Sequence, residues 1–239
     1  MRAHLLALSL SCLPIAAQAQ SLTDDQIKEL ALEAILENPE IIVEALSIIE
    51  RQRAAEQAAA QAETLLQQRA MLEDDPNAPF TGDADASAVI VEFFDYNCPY
   101  CKRAANDVAA LLSEDDDVRV VYREWPILGD GSVFAARAAL AARAQGKYAE
   151  MHEALMSMRG RAEEANVLAT ARDLGLDIDQ LLEDMQSEAV TTHIATSRQL
   201  AQNLGITGTP AFVIGDALVP GAVPLADLQN YVAASRNEG

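Results

Sequence analysis

The chain has 239 residues, half of them hydrophobic, and carries 37 acidic against 17 basic side chains, for a formal net charge of -20 at pH 7. A surface this negative repels phosphate backbones, which argues against a nucleic-acid-binding protein. The length allows one ordinary domain with additional segments, or two small domains. Beyond the first twenty residues, no apolar run in the sequence is long enough to span a bilayer.

The first residues have the pattern of a secretory signal peptide. Arg2 supplies a positive start, residues 5–13 form a short apolar stretch, and Pro14 ends it. Small residues at 17–19 offer a cleavage site. We therefore predict a cleaved signal peptide over residues 1–19 and a mature protein exported to the periplasm. The alternative is an N-terminal membrane anchor, which the short apolar stretch disfavours.

The chain contains three cysteines, Cys12, Cys98 and Cys101. A lipidated Cys12 is disfavoured, because Ser9 stands three residues earlier where lipoproteins usually have leucine. Cleavage after Ala19 removes Cys12 and leaves the other two. A disulfide between these two closes too small a loop to stabilise a fold much. The pair therefore indicates chemistry more than architecture.

A helical extension is predicted over residues 24–70. A first helix is interrupted at residues 38–39, where a proline opens a second helix, and an Ala-, Gln- and Glu-rich continuation ends near Leu66. The apolar sides of these helices have no core of their own. They predict either homo-oligomerisation through residues 24–70 or packing on the same chain. The predicted domains are a helical extension over residues 20–72 and a catalytic domain over 73–239.

Periodicity in the rest of the chain predicts an α/β fold. A polar segment with two prolines, residues 73–79, is predicted to link the extension to this domain. The predicted elements are a buried strand at 89–94, a helix at about 99–112, a strand at 118–122, a helical block at about 132–204, a β-hairpin at 211–219 and a closing helix at about 225–234. The first three form one parallel β-α-β unit.

The cysteine pair lies where the first strand meets its helix. The helix dipole and the unpaired N–H groups at a helix N-terminus favour a thiolate at Cys98. Pro99 suits the first turn because it lacks an N–H group. Cys101 follows one turn later, close enough to attack a mixed disulfide at Cys98. The pattern predicts Cys98 as the nucleophile and Cys101 as the resolving thiol of a redox centre.

A zinc site is an alternative interpretation of closely spaced cysteines. A structural zinc needs four ligands, and after the signal peptide the sequence offers two histidines, His152 and His193. Both are far from the cysteines in sequence and lie on predicted helices, where they are interpreted as ordinary helix residues. We therefore predict no bound metal and no cofactor.

Glu92 is an unusual residue within the predicted buried strand. Alternation places it on the same face as Ile90 and Phe94, and a carboxylate in an apolar layer is costly unless it is neutral, hydrated or paired. Its strand leads directly to the cysteines. We predict that Glu92 moves a proton to or from Cys101 through water. The alternative is a solvated structural carboxylate at a strand end.

Two segments, residues 89–101 and 204–212, resemble the DsbA-like bacterial thiol:disulfide interchange proteins. The first reads Val-Ile-Val-Glu-Phe-Phe-Asp-Tyr-Asn-Cys-Pro-Tyr-Cys and the second reads Leu-Gly-Ile-Thr-Gly-Thr-Pro-Ala-Phe. Residues 122–129 are similar to the segment that follows the second strand in that family. The resemblance covers about residues 76–236. It implies a thioredoxin-like fold with a helical insertion, which the block at 132–204 matches.

The resemblance also implies roles and partners. Pro210 matches the cis-proline that faces the disulfide in the family, and Thr209 would offer backbone groups to an extended substrate. The implied partners are cysteine-containing exported client proteins and a membrane thiol–disulfide redox partner. The N-terminal extension resembles that of the suppressor-of-copper-sensitivity ScsC proteins and Com1-type proteins. Some of those proteins oligomerise through it and act as disulfide isomerases.

The residues between the cysteines bear on the direction of the reaction. Pro99 has no N–H group and Tyr100 is neutral, so neither adds positive charge beside Cys98. This favours an isomerase or reductase over a strong oxidase, which needs an unusually stable thiolate. The alternatives are a DsbA-like monomeric dithiol oxidase, a Cu(I)-handling thiol protein, and a holdase that uses the acidic helical arm.

Overall fold

The computed structural model describes residues 22–237. The predicted signal peptide over residues 1–19, with Cys12, lies outside the described residues. The chain divides into two compact units, one ending at Ala55 and the other beginning at Glu56. This boundary falls inside a helix, whereas the sequence placed it near residue 73.

The N-terminal unit is helical. α1 (Asp24–Glu37) begins after Thr23, whose hydroxyl accepts a hydrogen bond from Gln26 N while the Gln26 side chain accepts one from Thr23 N at 3.0 Å. α2 (Glu40–Glu73) follows after the predicted break. No residue of α1 is buried. The unit exposes many large hydrophobic side chains: Ile27, Leu30, Leu32, Leu36, Ile41, Ile42, Val43, Leu46, Ile48 and Ile49.

The second part of α2 belongs to the larger unit and extends past residue 66, where the sequence predicted its end. Leu65 and Leu72 are 2 % and 1 % exposed. Both pack in a cluster with residues of the sheet, including Val91 and Val213. Burial of a leucine stabilises a fold by roughly 2 kcal/mol. These two contacts explain why the helix continues.

The polar segment 73–79, predicted as a link between the two parts of the chain, is held against the sheet. The Asp75 side chain accepts a hydrogen bond from the buried guanidinium of Arg123 at 2.7 Å. Arg123 also donates to the carbonyl groups of Met71 and Leu72 at the end of α2. The segment is therefore fixed to the sheet by a residue about fifty positions later, which a local pattern cannot reveal.

Five strands form the sheet of the larger unit. They are β1 (Phe80–Gly82), β2 (Ala88–Phe94), β3 (Val118–Glu124), β4 (Ala211–Ile214) and β5 (Ala217–Pro220). Their order is β1-β3-β2-β4-β5. β2 pairs in parallel with β3 and antiparallel with β4, so both of its edges are hydrogen-bonded. All of its residues except Val89 are buried, as its continuous apolar sequence indicates. The short edge strand β1 was not predicted.

Helices cover the sheet and form the insertion. α3 (Pro99–Glu114) connects β2 to β3. The insertion contains α4 (Asp130–Ala141), α5 (Tyr148–Ser157), α6 (Glu164–Asp173), α7 (Ile178–Asp184) and α8 (Glu188–Asn203), and the closing helix is α9 (Leu225–Ser235). α3 and α9 pack against each other. A mixed sheet with a helical insertion and N-terminal helices confirms the predicted α/β fold class.

Candidate active site

The two cysteines lie at the junction of β2 and α3. Cys98 is the N-cap of α3 and Pro99 is its first residue. Cys98 N donates to the carbonyl of Asp95 at 3.0 Å, and the Cys98 carbonyl accepts from Lys102 N at 3.1 Å. Both cysteines are free thiols. Cys98 is 4 % exposed, whereas Cys101 is fully buried, so the first of the two is the one a second molecule can approach.

The loop before β4 lies against Cys98. The Thr209–Pro210 peptide bond is cis, and the Cys98 thiol donates a hydrogen bond to the Thr209 carbonyl oxygen at 3.2 Å. Gly221 N donates to the Pro210 carbonyl at 2.8 Å, which ties the loop to the end of β5. The fold thus brings together two segments that are far apart in sequence.

The surroundings of Cys101 favour its protonated form. Burial raises the pKa of the Cys101 thiol well above its usual range, although hydrogen bonds with the Asp95 backbone and the Thr209 side chain oppose this. The negative charge of Glu92 acts in the same direction as burial. Cys101 therefore needs a base before it can act as a nucleophile.

Glu92 is placed to titrate near neutral pH. It is 1 % exposed on β2, and its Oε1 has no hydrogen-bond partner among residues 22–237. Burial, followed by the charge of Glu124, raises the pKa of Glu92 to about 8. It borders a cavity of about 620 Å³ between α3 and α5, which Tyr122 and His152 also line. The cavity has a mixed polar and apolar lining, and its volume leaves room for water beside the polar groups.

A buried polar cluster lies next to this cavity. Tyr96 Oη is 3.1 Å from His152 Nδ1, and the Tyr148 hydroxyl donates to Glu124 Oε1 at 2.7 Å. His193 Nε2 lies 2.6 Å from Glu124 Oε2. Burial lowers the pKa of His152 to about 4, so this histidine is neutral at physiological pH.

Sequence reasoning missed this cluster, since it treated both histidines as ordinary helix residues. A signal was present in β3, where Glu124 is a carboxylate at the end of a mostly buried strand, just as Glu92 is a carboxylate within the buried strand β2. The sheet register places these strands side by side, with Glu92 opposite Tyr122 and Phe94 opposite Glu124.

Asp95 organises the loop that carries the cysteines. Its carboxylate accepts hydrogen bonds from the backbone N–H groups of Asn97, Ile127 and Leu128 at 2.7, 2.8 and 3.0 Å. It also accepts one from the Ser132 hydroxyl at 2.7 Å. These bonds join the end of β2 to the start of α4, so Asp95 is a positioning residue that composition alone did not indicate.

Tyr100 faces outward beside the cysteines. It is 56 % exposed, and the Arg103 guanidinium lies 4.7 Å from the centre of its ring. Lys102 Nζ donates to the carbonyl groups of Met158 and Gly160 at 2.6 and 3.1 Å, which ties α3 to the loop after α5. Over residues 22–237, no group of three or more His, Cys, Asp or Glu side chains is arranged to hold a metal ion.

A mixed sheet, a dithiol at a helix N-terminus and an adjacent cis-proline together define a thioredoxin-fold dithiol domain. Residues 89–233 match the family model of the DSBA-like thioredoxin domain. The chain belongs to this family. The matched region contains both cysteines, the helical insertion and the Thr209–Pro210 bond.

Solved structures extend the similarity. A thioredoxin-like oxidoreductase from Silicibacter pomeroyi DSS-3 is 57 % identical, with a TM-score of 0.70, over 71 % of this chain and 98 % of that chain. A linker-deletion variant of Proteus mirabilis ScsC is 28 % identical, with a TM-score of 0.68, over 93 % of this chain and 100 % of that chain. These similarities support oxidoreductase activity for the domain.

Curated relatives match over a smaller share of their length. The Na⁺/H⁺ antiporter NhaA 1 of Salinispora arenicola is 33 % identical over 135 residues, which is 56 % of this chain and 21 % of that protein. The chain therefore spans about a fifth of the length of the curated relatives it matches. Among residues 22–237, no helix has both the length and the apolar character needed to cross a membrane.

Proposed function

We propose that this chain is an exported thiol–disulfide oxidoreductase that acts on cysteine-containing client proteins in the periplasm, as an isomerase or reductase more than as a strong oxidase. The main support for the proposal is the difference in accessibility between the two thiols. Cys98 lies at the start of α3 beside the cis Thr209–Pro210 bond, whereas Cys101 is fully buried. A client disulfide that approaches the cis-proline meets Cys98 first.

In the reducing direction, the Cys98 thiolate attacks one sulfur of the client disulfide and the other client sulfur leaves as a thiolate. Cys101 then loses its proton and attacks the Cys98 sulfur of the mixed disulfide. The second client thiolate leaves, a Cys98–Cys101 disulfide forms, and two electrons have passed to the client. In isomerisation, a client thiolate releases Cys98 instead, and no net electron transfer occurs.

Glu92 is the base for the Cys101 step. A pKa of about 8 lets it hold or accept a proton near neutral pH. The adjacent cavity of about 620 Å³ offers a route for water between this carboxyl and solvent. The 1 % exposure of the side chain supports this role over the alternative of a solvated structural carboxylate at a strand end.

The dipeptide between the cysteines supports the direction of the proposal. Tyr100 is a neutral residue, so its side chain adds no positive charge beside the Cys98 thiolate. Its ring is exposed and packs with Arg103. Pro99 has no N–H group to donate. The reduced form is therefore stabilised mainly by the helix N-terminus, which favours a less oxidising disulfide.

The N-terminal unit supports homo-oligomerisation through residues 24–70. Its exposed hydrophobic side chains line both helices, and a second copy of the chain offers the same apolar surface for them to bury. Several reactive sites in one assembly suit disulfide shuffling in a single misfolded client. A membrane redox partner would keep the dithiol in its working state.

Refolding of scrambled ribonuclease, run beside oxidation of a reduced two-cysteine peptide, tests the proposal. We expect the wild-type chain to recover ribonuclease activity and Cys98→Ser to recover none. Fast peptide oxidation without ribonuclease recovery would leave a DsbA-like dithiol oxidase. Insulin reduction that a copper(I) chelator abolishes would favour a Cu(I)-handling protein. Suppression of client aggregation that survives loss of both cysteines would favour a holdase.

A further inference from the structure

The groove beside the cis-proline has a wall that the proposed chemistry does not use. The groove has a volume of about 480 Å³ and is lined by the loop before β4, by the ends of the β4–β5 hairpin and by Gln61 of α2. Gln61 lies in the same compact unit as the two cysteines, Glu56–Gly239. The second part of α2 thus borders the groove where a client would bind.

Two contacts hold this part of α2 against the hairpin. Leu65, one turn after Gln61, is 2 % exposed and packs in the cluster that contains Ala211 and Leu218. Further along the helix, the Arg69 guanidinium pairs with the Asp216 carboxylate in the turn of the hairpin. These two contacts, both in the turns of α2 that follow Gln61, hold this part of the helix beside the groove.

The groove is uncharged, although the chain carries a formal net charge of -20. No residue that lines it is ionisable; its polar groups are the Gln61 amide, the Thr207 and Thr209 side chains and the backbone. In the described part of the chain, the N–H groups of residues 207–209 have no hydrogen-bond partner. A charged client side chain would lose hydration here without gaining a partner, whereas an extended backbone would find free donors.

We propose that Gln61, which lies on α2 outside the family-matched residues 89–233, is a specificity-determining residue of this groove and that its neutral amide disfavours charged client side chains beside the reacting cysteine. Its amide both donates and accepts, which suits a peptide backbone. The segment pairs along residues 207–209 and presents its sulfur to Cys98, 3.2 Å from the Thr209 carbonyl. This inference rests on the proposed thiol–disulfide exchange and names the client features that the same site accepts.

The test uses the full-length reduced protein and synthetic peptides that each carry one cysteine as its S-methyl mixed disulfide. Each of the two residues before and after that cysteine is in turn Ala, Asp or Lys. The readout is the second-order rate constant of single-turnover reduction, expressed as ratios between peptides within one protein variant. At one flanking position or more, we expect Asp and Lys each to lower the rate about threefold relative to Ala.

Substitutions of Gln61 test whether this residue causes the dependence of the rate on flanking charge. In Gln61→Lys we expect the Asp-to-Lys rate ratio at that position to rise about threefold, and in Gln61→Glu to fall by a similar factor. Gln67→Lys is the matched control, because Gln67 is exposed on the same helix and does not line the groove. Its ratio should stay at the wild-type value.

Rates that ignore flanking charge at all four positions would overturn the inference and leave thiol exchange intact. Equal shifts in Gln61→Lys and Gln67→Lys would also overturn it, because they would reflect the net charge of the chain and not the groove. Failure of the wild-type protein to reduce even the Ala peptide would instead overturn the proposed function on which the inference rests.

Discussion

The Cys98 sulfur and the Thr209 carbonyl oxygen lie 3.2 Å apart, although the two residues are separated by 111 positions in the chain. The cis bond that follows Thr209 belongs to the loop that also borders the uncharged groove. In the proposed function, a client segment that binds along this loop lies against the Cys98 sulfur. The contact between Cys98 and Thr209 thus joins the proposed client-binding loop to the proposed reacting thiol.

Replacement of Glu92 by glutamine is expected to slow the resolving step about tenfold or more, because an amide cannot accept the Cys101 proton. In the wild-type chain, the rate should rise with pH as Glu92 loses its proton through a pKa of about 8. Stopped-flow decay of a mixed disulfide between Cys98 and a chromogenic thiol, followed across that range, measures the step.

Glu153→Gln is the matched control for this experiment, since Glu153 borders the same cavity at its exposed rim. It should keep the wild-type pH dependence. Persistence of the rising limb in Glu92→Gln would show that another group takes the Cys101 proton.

The same carboxyl should make stability depend on pH. The native state keeps a proton on Glu92 up to about pH 8, whereas the unfolded chain loses it near the ordinary value of 4.5. The native state thus binds more protons in this interval, so the free energy of unfolding falls as pH rises through it. Urea unfolding of the reduced protein should show this slope for wild type and for Glu153→Gln, and a much smaller one for Glu92→Gln. Equal slopes in all three would contradict the assignment.

Self-association should depend on the exposed hydrophobic side chains of the N-terminal unit. We expect Ile42→Glu combined with Leu46→Glu to lower the subunit count, because each substitution places a charge on an apolar surface. A chain that starts at Glu56 keeps the buried Leu65 and Leu72 and should be monomeric. Light scattering measures all three proteins. Equal subunit counts would mean that the helices do not mediate assembly.

The contact between Asp75 and Arg123 should be a strong local contribution to stability. Asp75→Ala leaves a buried guanidinium without its carboxylate, which typically costs about 3 kcal/mol or more of unfolding free energy. Asp74→Ala is the neighbouring control, since Asp74 pairs with Arg119 through an exposed carboxylate and should cost less than about 1 kcal/mol. Similar losses in the two variants by urea unfolding would contradict this account of the segment.

The parts of the site that are local in sequence could be predicted from it. The positions of Cys98, Pro99 and Cys101 follow from a strand that runs into a helix, and the alternation of β2 singled out Glu92. The partnership with Thr209 came from resemblance to a family, because no local pattern places two loops 111 residues apart in contact.

The remaining features depend on packing between distant elements. The sequence places Asp75 in a polar linking segment, and its ion pair with Arg123 is visible only in the fold. Likewise, no local pattern pairs Glu124 with His193, whose ring nitrogen lies 2.6 Å away. Edge strand β1 has three residues, too few for a periodic signal. The end of α2 was placed too early because the burial of Leu72 is decided by the sheet and not by the helix.

Covalent capture of a client tests the central claim most directly. Reduced wild type, Cys98→Ser and Cys101→Ala are each mixed with a peptide disulfide, alkylated, and examined by mass spectrometry for a one-to-one adduct and its site. The account predicts a persistent adduct on Cys98 in Cys101→Ala, a transient one in wild type, and none in Cys98→Ser. An adduct on Cys101 in Cys98→Ser, or one no more persistent in Cys101→Ala than in wild type, would contradict it.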